Sequence, residues 1–190
     1  MRELVYYVAV SLDGRIAGPD DDFSAFLVEG DHMAWQFEHY ADALPAPAFA
    51  AFGIEADRSR FSTVLMGWNT YAVGLPMGLT DPYPHLEQVV VTRAHAAVEV
   101  PPGVRLVTGD PAEEVDRLKQ EDGAAIWLCG GGRLAGALAD RIDRLVLKVQ
   151  PVILGERGIP LFGGGAWPGH LRLVQSRPFR SGVVVNEYVR

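Results

Sequence analysis

The chain of 190 residues holds a single cysteine, Cys129. No intrachain disulfide can form and no cysteine-based zinc cluster can be assembled, so any redox chemistry has to come from a bound cofactor. Positive charge is also scarce: 17 Lys+Arg face 24 Asp+Glu, for a net charge of -7. Such a surface offers no footprint for a nucleic-acid backbone or an anionic membrane, and neither is expected as a partner. Long apolar runs are missing too. The longest near the amino end, Leu4 to Val10, is far short of the roughly 20 residues of a membrane span and lacks the layout of a signal peptide, so a cytoplasmic location is expected. The five histidines (His32, His39, His85, His95 and His170) show no acid-flanked i, i+4 spacing, and no metal is expected; they read as surface or satisfied core residues. No serine sits in a G-x-S-x-G elbow, which argues against nucleophilic catalysis.

What is present is an ordinary globular composition, 48% apolar and 22% charged with 21 Gly and 13 Pro, and a length that suits one domain with one sizeable core over residues 1–190. Leu4 to Val10 is apolar at consecutive positions and rich in Val and Tyr, which predicts a central strand buried on both faces. Further strands are expected at Thr63–Met66, Gln88–Thr92, Val104–Val107, Ala125–Leu128, Arg144–Val149, Arg172–Gln175 and Val183–Val189. Helices are expected at Met33–Ala43, Ala48–Arg58, a short one opening at Asn69, Ala112–Gln120 with Asp110 as N-cap and Pro111 at the first helical position, and Arg133–Arg141. Alternating strands and helices give an α/β fold with a mostly parallel sheet of about eight strands, ending in antiparallel strands.

In an open α/β sheet small molecules bind outside the carboxyl ends of the strands, so the residues following each strand carry the functional information. Ser11-Leu12-Asp13-Gly14 leaves the first strand with a carboxylate, although Asp-Gly is also ordinary turn chemistry. Gly67-Trp68-Asn69-Thr70 joins a strand to a helix, either as a phosphate contact or as a plain junction with Asn69 as cap. Cys129-Gly130-Gly131-Gly132-Arg133-Leu134 follows a buried strand with three glycines, which let a ligand approach the main chain, as a bare turn would also allow. Thr92-Arg93 places a guanidinium at a strand end. The patch from Pro151 to Gly165 either closes over a substrate or is a surface loop.

These segments, S-L-D-G at 11–14, V-L-M-G-W-N-T-Y at 64–71, V-V-V-T-R at 89–93, W-L-C-G-G-G-R-L at 127–134 and Q-P-V-I-L-G-E-R-G-I-P-L-F at 150–162, occur in an order that resembles the dihydrofolate reductase superfamily. More closely, they resemble the reductase domain of riboflavin biosynthesis and its stand-alone relatives. The resemblance covers residues 3–189, apart from a variable insertion at about 20–60 expected to line the substrate pocket.

The resemblance implies a single-domain dihydrofolate reductase-like fold and a reductase transferring hydride from NADPH to a pteridine or a riboflavin-pathway pyrimidine, of the 5-amino-6-(5-phosphoribosylamino)uracil reductase type. It implies cofactor contacts at Ala9 and Ile16 around the nicotinamide, at Gly67, Trp68, Asn69 and Thr70, at Thr92 and Arg93 around the ribose phosphate, and at Gly130, Gly131, Gly132, Arg133 and Leu134 for the pyrophosphate. Trp68 stands where folate reductases commonly carry a basic residue, so NADH stays open beside NADPH. Asp13 is expected to act near substrate and nicotinamide as a general acid with a raised pKa, with Trp35, Leu154 and Gly155 as substrate contacts. A homodimer is expected through Val183, Val184 and Val185. A dihydrofolate reductase and a dinucleotide-binding protein without turnover are the alternatives. The fused zinc deaminase of some relatives is not expected, because no P-C-x-x-C occurs.

Overall fold

The computed structural model describes residues 1–164 and 169–190. Its centre is β1 (Leu4–Ser11), flanked by β6 (Ala125–Gly130) and β7 (Arg144–Gln150), both parallel to it. Outward from β6 follow β3 (Phe61–Gly67), β4 (Glu87–Val91) and β5 (Val104–Val107), all parallel. Outward from β7 follow β10 (Val184–Val189) and β9 (Arg172–Pro178), with β10 antiparallel to both neighbours. The eight-stranded order is therefore β5-β4-β3-β6-β1-β7-β10-β9.

β1 is apolar at consecutive positions because both its faces are covered. Val5 and Tyr7 enter one core layer with Trp35, Tyr40, Phe61 and Trp127, whereas Leu4, Tyr6 and Val8 enter the other with Val115, Leu118, Leu134 and Leu138. The first layer is roofed by α1 (Asp31–His39), the second by α4 (Pro111–Gln120) and α5 (Gly132–Ala137). α4 begins as its sequence dictates: the Asp110 carboxylate accepts the Ala112 N–H at 2.9 Å, Pro111 occupies the first turn, and Val115 and Leu118 turn inward at i, i+3 spacing.

Elsewhere the helices are shorter than their sequences suggest. α1 stops at His39, and a separate 3-10 turn at 41–43 buries Asp42, whose carboxylate accepts the N–H groups of Arg58 (2.8 Å), Arg60 (2.9 Å) and Phe61 (3.0 Å). α2 (Ala46–Phe52) ends where Gly53 adopts φ +62, a left-handed cap, so residues 53–58 are not helical. α3 (Trp68–Ala72) opens one residue before Asn69, and Gly67 rather than Asn69 is its cap. A two-stranded ribbon, β2 (Arg15–Ala17) with β8 (Ile159–Pro160), was not expected; it ties the loop after β1 to the loop after β7.

Val183 and Val185 are 0% and 5% exposed and belong to the protomer's own interior, so they offer no dimer surface. The open strand is β9, exposed at every residue, with Leu173 at 51% and Val174 at 48%. Among the described residues no helix is long and apolar enough to cross a membrane.

Candidate active site

The sheet brings the carboxyl ends of β1, β3, β4, β6 and β7 to one edge, because these strands are mutually parallel. At its middle, S-L-D-G forms a clasp. The Ser11 hydroxyl donates to Asp13 Oδ1 at 2.6 Å and accepts the Arg15 N–H at 2.9 Å. The same carboxylate accepts the backbone N–H of Leu154 at Oδ1 (3.0 Å) and of Gly155 at Oδ2 (2.8 Å). Asp13, Leu154 and Gly155 are thus together, but the first holds the other two. The hydrogen bonds, that of Ser11 foremost, pull the Asp13 pKa down to about 2. The raised pKa expected of a proton donor is therefore reversed: Asp13 is a fixed carboxylate.

Between β3 and β6 the surface is bare backbone. Gly131 has φ +92, and a Cβ built on it would find nothing nearer than Thr70 Oγ1 and Leu134 Cβ, both 3.8 Å away. A Cβ on Gly67 would meet nothing within 4 Å. Thr70 Oγ1 also lies 3.8 Å from a Cβ built on Gly130, so its hydroxyl bridges the motifs at 64–71 and 127–134. Arg93 and Arg133 are exposed on either side, without an ion-pair partner among the described residues. An open glycine backbone, a hydroxyl and two available guanidiniums fit the pyrophosphate and ribose phosphate of a dinucleotide.

Most of the other expected cofactor contacts also have partners within the fold. Gly132 lacks a side chain because a Cβ there would overlap the Pro160 carbonyl oxygen, and its own carbonyl accepts the Gly163 N–H at 2.7 Å. Leu134 is 8% exposed and belongs to the second core layer. Thr92 is buried, with its hydroxyl engaged by His95 through the backbone N–H (3.2 Å) and Nδ1 (3.3 Å). Trp68 stacks on the His95 ring, centroids 4.0 Å apart and planes 5° from parallel. Asn69 donates to the Asp21 carboxylate at 3.1 Å. Ile16 and Ala9 are half-buried, on β2 and β1. Trp35 is 9% exposed and packs against His39, Tyr40 and Phe179, so it serves the core. Gly165, the end of the last glycine patch, lies outside the described residues.

One functional candidate escaped the sequence reading. Lys148 on β7 is the register partner of Ala9 and of Val185, so its side chain shares their face, the one roofed by α1. Its Nζ lies 4.4 Å from the Tyr7 ring centroid and 3.3 Å from Gln36 Oε1, and no carboxylate reaches it among the described residues. Burial lowers its pKa to about 8, and burial raises that of nearby Cys129 to about 12. The signal was available: the chain has 15 arginines and only two lysines, Lys119 and Lys148. Lys119 is accounted for by Asp143 at 2.6 Å.

The histidines follow expectation with one exception. His32 is buried with Nδ1 3.0 Å from Ser181 Oγ and Nε2 3.3 Å from the Leu27 carbonyl. His85 sets Nε2 2.9 Å from the Asp42 carbonyl but leaves Nδ1 buried without a partner among the described residues. Two surface hollows, about 180 and 480 Å³, share Glu38, His39, Ser59 and Arg60. The larger reaches Glu3, Val5, Ala125 and Arg144, the amino ends of the strands, opposite the edge where Asp13 and the glycines lie.

Known proteins resemble this chain in sequence and fold. The uncharacterised Bacillus subtilis protein YwjB is 32% identical over 200 residues, covering 100% of this chain and 98% of its own. A Shewanella sp. PV-4 protein named for riboflavin biosynthesis superposes with a TM-score of 0.70 at 25% identity, over 100% of this chain and 99% of its own. The Thermotoga maritima diaminohydroxyphosphoribosylaminopyrimidine deaminase/5-amino-6-(5-phosphoribosylamino)uracil reductase gives 0.69 at 18% identity, over 99% of this chain but only 56% of its own length. Enterococcus faecalis dihydrofolate reductase, solved with NADP(H), gives 0.67 at 15% over 99% and 96%. At those identities the last two show the shared fold. Residues 2–185 match the model of the RibD C-terminal domain, and the chain belongs to that family of reductase domains.

Proposed function

We propose that this chain is an NADPH-dependent reductase of a small heterocycle, a riboflavin-pathway aminopyrimidine of the 5-amino-6-(5-phosphoribosylamino)uracil type or a close pteridine relative. The observation that carries the reading is the open glycine backbone at Gly67, Gly130 and Gly131, bridged by Thr70 and flanked by Arg93 and Arg133. When bound, the reduced dinucleotide supplies two electrons and a hydrogen to the acceptor. The chain's own residues do the rest. Glycine N–H groups and the Thr70 hydroxyl hold the pyrophosphate, and the two guanidiniums hold the remaining phosphate charge. Half-buried Ala9 and Ile16 bound the nicotinamide. Asp13 fixes Leu154 and Gly155, and the loop so held forms the substrate wall.

The match to the RibD C-terminal domain supports a reductase. We further propose that the exposed edge of β9, with Leu173 and Val174, pairs with a second copy to form a homodimer.

The test is a spectrophotometric assay of NADPH oxidation with 5-amino-6-(5-phosphoribosylamino)uracil, pterins and dihydrofolate. Turnover with the aminopyrimidine supports the reading, and preference for dihydrofolate would replace it with a folate reductase. Saturable NADPH binding without oxidation across the panel would make the chain a dinucleotide-binding protein.

A further inference from the structure

Hydride reduction of a C=N bond needs a proton on the nitrogen, and Asp13, ionised and saturated with hydrogen bonds, has none to give. Another group on the same face has. Lys148 neighbours Ala9 across the β1/β7 pairing, so the two side chains stand side by side on the α1 face of the sheet, two residues short of the carboxyl end of β1. We propose that the Lys148 ammonium is the substrate-binding acid of this reductase, holding a carbonyl oxygen or ring nitrogen of the acceptor and passing it the proton that completes reduction. This rests on the reductase reading above and adds the substrate's polarity: the acceptor turns a neutral or anionic heteroatom, not a cation, toward α1.

The geometry suits that task. The ammonium has three donors and, among the described residues, one protein acceptor, Gln36 Oε1 at 3.3 Å, besides the Tyr7 ring at 4.4 Å. A half-buried cation that meets no carboxylate among the described residues is costly to keep unless a ligand uses it. The Tyr7 ring beneath it is clamped by Tyr40 at 4.2 Å between centroids, so the platform is rigid. Arginine, which the chain uses 15 times, cannot release a proton near neutrality, whereas lysine can.

The step balances. As the acceptor carbon gains two electrons and a hydrogen from the reduced dinucleotide, the C=N π pair moves to nitrogen. One ammonium N–H bond of Lys148 breaks, a new N–H bond forms on the acceptor, and solvent returns a proton to the amine. Burial has already brought this amine to about 8, which suits a donor working near neutral pH. Tyr7, Tyr83 and Cys129 are held protonated by burial. Arg177 of β9, its guanidinium 5.9 Å from the Trp35 ring, stays charged. Glu187 of β10 is paired with Arg144. On α1, His32 and His39 face Ser181 and the Trp35 carbonyl.

The test uses protein labelled with ¹³C at lysine Cε. Only two lysine signals arise, and loss of one in Lys148→Arg assigns it. Titrated without dinucleotide, the Lys148 signal should move near pH 8 and shift again when 5-aminouracil is added. Lys148→Met should lower 5-aminouracil affinity at least tenfold while keeping the wild-type melting temperature. Lys148→Arg should bind within threefold of wild type, yet lose about 100-fold in turnover together with the alkaline limb near pH 8. Wild-type affinity in folded Lys148→Met, or a Lys148 signal indifferent to 5-aminouracil, overturns the proposal. Failure of NADPH to bind would instead overturn the reductase reading, and the NMR titration would still decide whether Lys148 meets the ring.

Discussion

The Asp13 carboxylate accepts the Gly155 N–H at 2.8 Å across 142 positions of sequence, so the loop after the first strand carries the loop after the seventh. Asp13→Asn keeps one acceptor oxygen but turns an amide N–H₂ toward a backbone donor. The loop should loosen, with hydrogen exchange at Leu154 and Gly155 faster by about tenfold or more, the effect of losing one charge-assisted bond. A folded-state pKa near 2, below the ordinary 3.8, means that the carboxylate's stabilising contribution is present above about pH 4 and fades as pH falls toward 2. Turnover of the wild type should therefore show no limb from Asp13 between pH 5 and 9. Loss of such a limb in Asp13→Asn would restore the acid role.

Glycines 131 and 132 should separate sharply despite being adjacent. Gly131→Val has room for its Cβ and should fold, with a backbone cost of about 1–3 kcal/mol for a residue held at positive φ, and it should bind NADPH at least tenfold more weakly. Gly132→Ala meets the Pro160 carbonyl and should lower the melting temperature by more than Gly131→Val does. Thermal melts with and without NADPH check both, and the reverse order would refute the assignment.

Arg93 is exposed and unpaired among the described residues, and the Trp68–His95 stack beside it supplies no second guanidinium. Arg93→Ala should raise the NADPH Kd by about tenfold, as for one charge-assisted contact, and leave that for NADH unchanged. Calorimetric titrations with both dinucleotides decide; equal losses would remove the 2′-phosphate from Arg93.

What the sequence showed, and what it hid, follows from the range of each interaction. β1 and α4 were legible because their causes are local: an unbroken apolar run, and Asp110-Pro111 before an amphipathic stretch. The motif loops were placed correctly for the same reason. Helix lengths in the insertion were not, because Asp42 ends one by capturing amides 16 to 19 residues away and Gly53 ends the next with a left-handed turn. The role of Asp13 depends on Leu154 and Gly155, and that of Gly132 on Pro160, partners that no local pattern announces. Lys148 reads as one polar residue in an apolar strand until β1 and α1 are laid beside it.

Asp42 gives the insertion a stability test independent of catalysis. Its buried carboxylate serves three backbone donors, so Asp42→Ala should cost several kcal/mol by leaving those N–H groups unpaired at about 1–3 kcal/mol each, read as a lower denaturant midpoint. A midpoint within the scatter of exposed-site variants would show the turn at 41–43 to be dispensable.

The edge of β9 should carry the dimer. Leu173→Lys with Val174→Lys should convert a concentration-dependent dimer into monomer in sedimentation equilibrium; a monomeric wild type would contradict the pairing.

The most direct test of the central claim is the backbone amide spectrum of ¹⁵N-labelled protein titrated with NADPH. The glycine groove predicts saturable shifts at Gly67, Thr70, Gly130 and Gly131, abolished in Gly131→Val, with the amides around Glu38 and Arg60 at the opposite end of the sheet unmoved. Saturable shifts confined to that opposite end, or no saturable change anywhere, would contradict it.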